Sequence, residues 1–311
     1  MKFIITADWH LLWENPIARL DNAHETQFGK VKWILDYAKE QNAQILLAGD
    51  MFDKPRNWHV LPRISELLKR NWERSMPCIF CVRGQHDKYM LSEDTQSTSL
   101  GMLEKQGLVA VIEDSLPLDN EVLYGCSWGG EIPKLDETRL DRQRILIIHA
   151  PIYMNKVYDG QDNKWYAPKF LKDHPEFDLI VCGDTHQRFI YQEDNRIICN
   201  SGPIFRKEAT KYNFEHEPHI GLYDTETKKL IWIPIPCEPA EKVLSREHLE
   251  STEHYNELMT EFILAVADKV EVKGASFEEI LMELVYSEKV PKEVKRIIGE
   301  IVGEGFYKKE G

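Results

Sequence analysis

Over the first 240 or so residues, short apolar runs alternate with stretches whose apolar positions recur at helical spacing. The runs at 2–6, 44–48, 78–82, 109–112, 122–126, 145–149, 179–182, 189–192, 196–199, 220–223 and 230–233 are rich in Ile, Val, Leu and aromatic residues and have the length of strands. Helical patterns fall near 22–41, 60–73, 97–106 and 169–173. The early half therefore reads as β-α-β, with strands buried beneath flanking helices. Later strands lie closer together, and Asp194-Asn195 and the stretch from Thr225 to Lys228 predict hairpin turns between them. The pattern as a whole predicts an α/β protein: a two-sheet β-sandwich flanked by helices.

The texture changes at Pro234-Ile235-Pro236-Cys237-Glu238-Pro239, where three prolines exclude both a helix interior and a central strand. Residues 1–237 are expected to form the main domain and 238–311 a small, mainly helical appendage, with helices near 246–267, 276–286 and 292–302. Ser276 with Glu279 fits a capping box, and Pro291 suits a first helical turn. Apolar residues such as Leu258, Phe262 and Val266 recur at helical spacing and suit packing within the appendage or docking of a partner.

Hydrophobic residues make up 42% and charged residues 29% of the 311 positions, an ordinary globular balance with no run long enough to span a membrane. The first apolar run meets Asp8 and His10 almost at once and lacks the zones of a secretion signal, so a cytoplasmic location is expected. Cys78 and Cys81 form a lone C-x-x-C, but three residues apart on a strand they face opposite sides, which favours buried reduced thiols over a metal site. The net charge of −13 repels polyanions at long range and weighs against strong unaided nucleic-acid binding. Bound divalent cations, or a partner, would offset it locally.

Five polar segments each follow a predicted strand: Asp8-Trp9-His10, Gly49-Asp50-Met51-Phe52-Asp53, Gly84-Gln85-His86-Asp87, His149, and Gly183-Asp184-Thr185-His186. In an α/β sheet the carboxyl ends of strands share one rim, so these segments can converge despite their separation in sequence. Carboxylates, imidazoles and an amide oxygen suit manganese, magnesium, iron or zinc. Two such cations about 3.5–4 Å apart can bind phosphoryl oxygens, lower the pKa of a water and stabilise a leaving alkoxide. Each segment alone is commonplace; the five in this order are not.

The order D-x-H, G-D, G-N-H, H, G-H-x-H marks the calcineurin-like metallophosphoesterases, and residues 1–235 resemble that family. Within it the chain looks closest to the SbcD-type DNA repair and recombination exonucleases and their phage relatives. The segment Gly49-Asp50-Met51-Phe52-Asp53-Lys54-Pro55 is similar to their G-D-x-F-D stretch, and Asn200-Ser201-Gly202-Pro203 to their glycine-serine-proline turn. By resemblance, Asp8, His10, Asp50 and His186 hold one metal. Asp50, Gln85, His149 and Asp184 hold the second, with Asp50 bridging. His86 would stabilise the transition state or protonate the leaving oxygen, a task suited to an imidazole, with Asp87 or another carboxylate orienting it. Two positions depart from the family: Gln85 stands where it has Asn, and Asp184 where it has His. Gln reaches further and Asp is shorter and anionic, which favours hard cations and makes Mn2+ the expected metal, with Mg2+, Fe2+ or Zn2+ as alternatives.

Lys54, Arg56 and Trp58 follow the Asp50 segment and are candidate contacts for a phosphodiester backbone or base. Arg206 and Lys207 are candidates to face a phosphate, whereas Arg83 suits pairing with carboxylates and His24 and His59 suit surface or cap roles. The segment 153–165 follows His149 and is expected to overhang the metals and shape access. The resemblance implies a DNA substrate and an SbcC-like ATPase partner with long coiled coils and is compatible with a homodimer; the lack of a long apolar run leads us to expect no membrane partner. The alternatives are a phosphatase or phosphodiesterase acting on small molecules or phosphoproteins, and a metal-poor binding module.

Overall fold

The structure is a computed structural model, and it describes residues 1–71, 79–91, 96–135, 138, 141–156, 160–247 and 296. The chain divides into two compact units, Met1–Leu244 and Ser245–Gly311. Apart from residues 246, 247 and 296, the helices expected in the tail lie outside the described residues, as does Cys78.

The first unit contains two mixed six-stranded sheets. In the first sheet, β1 (Lys2–Thr6), β2 (Gln44–Leu47), β3 (Ile79–Cys81) and β4 (Val109–Val111) run parallel, and β11 (His219–Asp224) and β12 (Lys229–Pro234) add antiparallel beside β1. In the second, β6 (Glu121–Cys126), β7 (Gln143–His149), β8 (Leu179–Gly183) and β10 (Arg196–Asn200) run parallel, flanked by β5 (Ser115–Pro117) and β9 (Phe189–Glu193) in antiparallel pairing. The helices are α1 (Ala23–Glu40), α2 (Leu61–Asn71), α3 (Ser99–Lys105), α4 (Ala167–Asp173), α5 (Lys211–Glu215) and α6 (Ala240–Val243).

Alternation along the strands builds three apolar layers. Phe3, Ile5, Leu46 and Phe80 face Leu123, Ile145, Ile147 and Val181 between the sheets. Ile4, Ile45, Leu47 and Ile79 point the other way, onto Phe28, Val31 and Ile34 of α1 and Ile64 and Leu68 of α2. Tyr124, Leu146, Ile148 and Ile180 pack under Phe170 and Leu171 of α4. The central strands are buried on both faces, which is why they read as continuous apolar runs. The predicted sandwich with outer helices is therefore the observed architecture. Asn22 caps α1 by accepting the Glu25 N–H, and Thr98 caps α3 by accepting that of Gly101.

Strand β5 escaped the pattern. It has three residues, sits at a sheet edge and ends on Pro117, where a missing N–H costs no ladder bond. Among the described cysteines, Cys81, Cys126, Cys182 and Cys199 are buried free thiols and Cys237 is exposed. Among the described residues no helix is long and apolar enough to cross a membrane.

Phe80 is wholly buried in the layer between the sheets. Phe80→Ala should lower the unfolding free energy by about 3–5 kcal/mol in a urea titration. A loss below about 0.5 kcal/mol, the size of an ordinary surface change, would contradict this packing.

Candidate metal centre

The five polar segments meet at the carboxyl ends of β1, β2, β3, β7 and β8. The loops after β1 and β2 are zipped together: Asp8 N–H donates to Gly49 O, His10 N–H to Asp50 O and Leu11 N–H to Met51 O, and Asp53 N–H returns to Leu11 O. The Asp184 N–H donates to the Asp8 carboxylate at 3.1 Å, tying the loop after β8 to the same point. Gln27 of α1 supports the first loop from below, donating to the carbonyls of Trp9 and His10 and accepting the Leu12 N–H.

Asp50 lies at the middle. Its Oδ1 accepts the His86 N–H at 2.9 Å, while its buried Oδ2 accepts no hydrogen bond and lies 3.4 Å from His149 Nε2 and 3.7 Å from His10 Nε2. On one side, His10 Nε2 and His186 Nε2 face each other at 3.0 Å, with Asp8 Oδ1 4.0 Å from the latter. On the other, Gln85 Oε1 is 2.7 Å from His149 Nε2, and Gln85 Nε2 donates to Asp184 Oδ1 at 2.8 Å. Donor atoms of Asp8, His10 and His186, of His10, Asp50 and His86, and of Asp8, Asp50 and His149 fall within 4.8 Å of one another in each group. All seven ligands expected from the sequence are thus brought together, and the longer Gln85 side chain is what spans from His149 to Asp184.

This donor set fits a pair of divalent cations. Two imidazole nitrogens about 2.1 Å from one cation and at right angles to it lie about 3.0 Å apart, matching the spacing of His10 and His186. His149 Nδ1 donates to the Ala48 carbonyl at 2.6 Å, so Nε2 is the ring nitrogen that faces Gln85 Oε1 at 2.7 Å. The space between them holds either the second ring proton or, once that proton is lost, a cation. The unpaired Asp50 Oδ2 likewise calls for one or the other.

The backbone gives way to bring these groups so close. Asp8, His10, Asp50, Asp184 and His186 all adopt positive φ, between 44° and 95°. Asp is among the residue types that tolerate this region, but five such residues in one centre represent stored strain. Gly49, at φ 85°, lies where a Cβ would come 2.2 Å from His149 Nδ1, and a Cβ on Gly84 would come 1.9 Å from Asp50 Oδ1. Glycine is required at both by close approach.

Burial and charge set the proton balance. Burial raises the Asp8 carboxyl to about 6 against the pull of His186 and His149. Burial lowers the His10 imidazole to about 3, leaving it neutral and available as a ligand, despite the opposing pull of Asp50. At His149 burial favours the neutral ring but is outweighed by Asp50 and Asp8, which raise it to about 9. The Asp50 carboxyl is held below the usual range because His149, His10 and His86 outweigh its own burial.

His86 lies at the rim of this group. Its Nδ1 donates to the Asp53 carbonyl at 2.8 Å, leaving Nε2 as the other ring nitrogen, and its ring meets that of His10 edge-on at 4.8 Å. The expected orienting role of Asp87 is replaced by a different one. The Asp87 carboxylate is buried and accepts the N–H groups of Met51, Phe52 and Gly84, so it shapes the loops around Asp50 while Asp53 orients His86. Burial, then the Asp50 charge, raise Asp87 to about 7. Asp53 closes one of the five polar segments but was given no role from the sequence; its carboxylate also accepts from Lys207 Nζ at 2.5 Å and sits 3.8 Å from His10 Nδ1. Gln27 was also missed, although a polar residue on the apolar stripe of α1 was a visible signal.

Arg206 does not face a phosphate. It is buried and donates to the carbonyls of His216 and Glu238 and to Cys237 Sγ, fastening the turn after β10 to the segment before α6. Lys54 pairs with Glu14, Arg56 bonds Ser97 and lies over the Tyr89 ring, and Trp58 is 47% exposed, so all three stay at the surface beside the Asp50 loop. Arg83 pairs with Glu104 and Glu113, as its neighbourhood of carboxylates suggested. His24 and His59 pack on Trp13.

Residues 1–188 match the family described as Calcineurin-like phosphoesterase, a span that begins before Asp8 and ends just beyond His186. An uncharacterized protein of Methanocaldococcus jannaschii is 24% identical over 140 residues, covering 45% of this chain and 52% of its own length. The chain thus spans about half the length of that curated relative. Among solved structures, an archaeal phosphodiesterase aligns with 14% identity over 75% of this chain and 99% of its own, at a TM-score of 0.41. A putative 5'-nucleotidase from Staphylococcus aureus aligns with 9% identity over 76% and 54%, at a TM-score of 0.47.

Because His149 keeps a proton up to about 9 without metal, a cation must displace that proton. Mn2+ affinity should therefore rise by about tenfold per pH unit between about pH 6.5 and 8.5, measured by calorimetry. An affinity flat across that window would contradict the assignment of His149 as a ligand.

Proposed function

The chain belongs to the calcineurin-like phosphoesterase family, and on that premise we propose that it is a metal-dependent DNA nuclease of the SbcD type, cleaving phosphodiester bonds in repair or recombination. The observation that carries the hydrolytic part of this reading is the convergence of Asp8, His10, Gln85, His149, Asp184 and His186 around one shared carboxylate, Asp50. Divalent cations held there, Mn2+ foremost, would supply the positive charge that draws phosphoryl oxygens and activates water.

The chain's own residues do the rest. Asp87 and the Gly49 and Gly84 backbones hold Asp50 in place, so no reorganisation is needed when the phosphate arrives. With Nδ1–H fixed on Asp53 O, His86 is left with Nε2 to donate a proton to the leaving oxygen. Neither step needs a side-chain nucleophile.

Two features support DNA over a small molecule. The rim is open: the His186 side chain is 46% exposed, and Arg56 and Trp58 stand at the surface beside the Asp50 loop, where a strand could be gripped and a base stacked. The Asn200-Ser201-Gly202-Pro203 turn, one of the SbcD-like details, lies beneath the metal rim. Pro203 bridges to Ala7, and a Cβ on Gly202 would come 3.3 Å from His186 O. A chain of net charge −13 gains little from long-range attraction to DNA. An SbcC-like ATPase subunit would supply that grip, with the catalytic chain working in the cytoplasm alone or as a homodimer.

The test is a Mn2+-titrated cleavage assay on linear, nicked and single-stranded DNA beside a generic phosphodiester. The wild type should cleave DNA, and His86→Ala should lower kcat by about 10²–10⁴-fold with its bound Mn2+ unchanged. Hydrolysis of the generic ester with all three DNA forms untouched would replace this reading with a small-molecule phosphodiesterase.

A further inference from the structure

We propose that the cavity beside His149 is a nucleobase subsite, holding the base of the nucleotide whose phosphoryl group the metal centre attacks. This inference rests on the reading of that centre as a phosphodiesterase acting on nucleic acid, and adds the part of the substrate that would set its position.

The cavity has a volume of about 530 Å³ and lies where the loops after β6 and β7 meet α4. That size falls within the roughly 300–1,000 Å³ of small-molecule sites. His149 and Pro151 are part of its lining, so it reaches the strand end that carries a candidate metal ligand, whose own side chain is fully buried and turned toward Gln85 and Asp50. Its walls are also fastened to the other ligand loops. The Trp128 N–H donates to Arg83 O and the Ser127 hydroxyl accepts the Arg83 N–H, two residues before Gln85. The Thr185 hydroxyl, between Asp184 and His186, donates to Ile152 O. A group seated in the cavity would therefore be held in fixed register with the metal centre.

The lining suits a flat ring with polar edges. Trp165 stacks on Phe170 with ring centroids 5.9 Å apart and planes 21° from parallel, and Trp128 adds a second indole. Lys164 lies 5.1 Å from the Trp165 centroid, and Asp173 and His174 join it in the lining, so donors and acceptors border the aromatic floor. Lys164, Asp173 and His174 also pair with Asp162, Lys169 and Glu176, so what selects a base is the pair of indoles, to which it presents its π-face.

The test is isothermal titration calorimetry of the full chain in Mn2+ with two ligands that share a sugar phosphate, deoxyadenosine 5'-monophosphate and 2-deoxyribose 5-phosphate. The wild type should bind the nucleotide about tenfold or more tightly than the sugar phosphate, the scale of a base–aromatic stack. Trp165→Ala should remove that preference and leave the sugar phosphate's affinity unchanged; Trp128→Ala serves if the first variant does not fold. Equal affinities in the wild type, no measurable nucleotide binding, or a preference that survives in the folded variants would overturn the subsite. DNA cleavage without base-dependent binding sinks the subsite alone, and base-dependent binding without DNA cleavage sinks the nuclease reading alone.

Discussion

The structure turns on one buried carboxylate. Asp50 emerges from β2 into a left-handed backbone turn and is closed in by Gly84. One oxygen is fixed by the His86 N–H; the other is presented, without a hydrogen bond, to imidazoles from the loop after β1 and the end of β7. An ionised carboxylate in such a place is costly unless positive charge sits beside it. Both sheets, through β1 to β3 on one side and β7 and β8 on the other, carry the groups that satisfy it.

The surrounding features follow from that demand. The Asp87 carboxylate collects three backbone N–H groups and so holds the Asp50 and Gly84 loops against each other. Gln27 does the same for the His10 loop from α1. Five of the candidate ligands sit at positive φ, and the packed layers around them must hold that strain in place. Such a centre trades stability for chemistry, as sites with preorganised charge do.

Much of this was legible in the sequence because the signals were local. Apolar runs that end in Asp, His or Gly-Asp located both the strands and the rim, since a central strand must be apolar on both faces and its functional residues must wait until it ends. Gln85 and Asp184 kept their places despite departing from the family pattern, because the positions are set by the strands and only the reach of the side chains had to adapt. What was not legible depended on where a chain segment folds back. Arg206 follows a turn and looked like a phosphate contact, but the segment 237–238 returns to bury it. Asp87 stood next to His86 in sequence, yet the short helical turn 85–87 sends its carboxylate to the Asp50 loop. Strand β5 was too short and too close to a proline to stand out.

A carboxylate common to two cations would leave a magnetic signature, and electron paramagnetic resonance of the chain titrated with Mn2+ tests that sharing at Asp50 directly. Two equivalents should bind, and the second should quench the isolated-ion spectrum of the first, because spins bridged through one carboxylate couple. A spectrum that grows in proportion to the second equivalent, or that saturates after one, would contradict it.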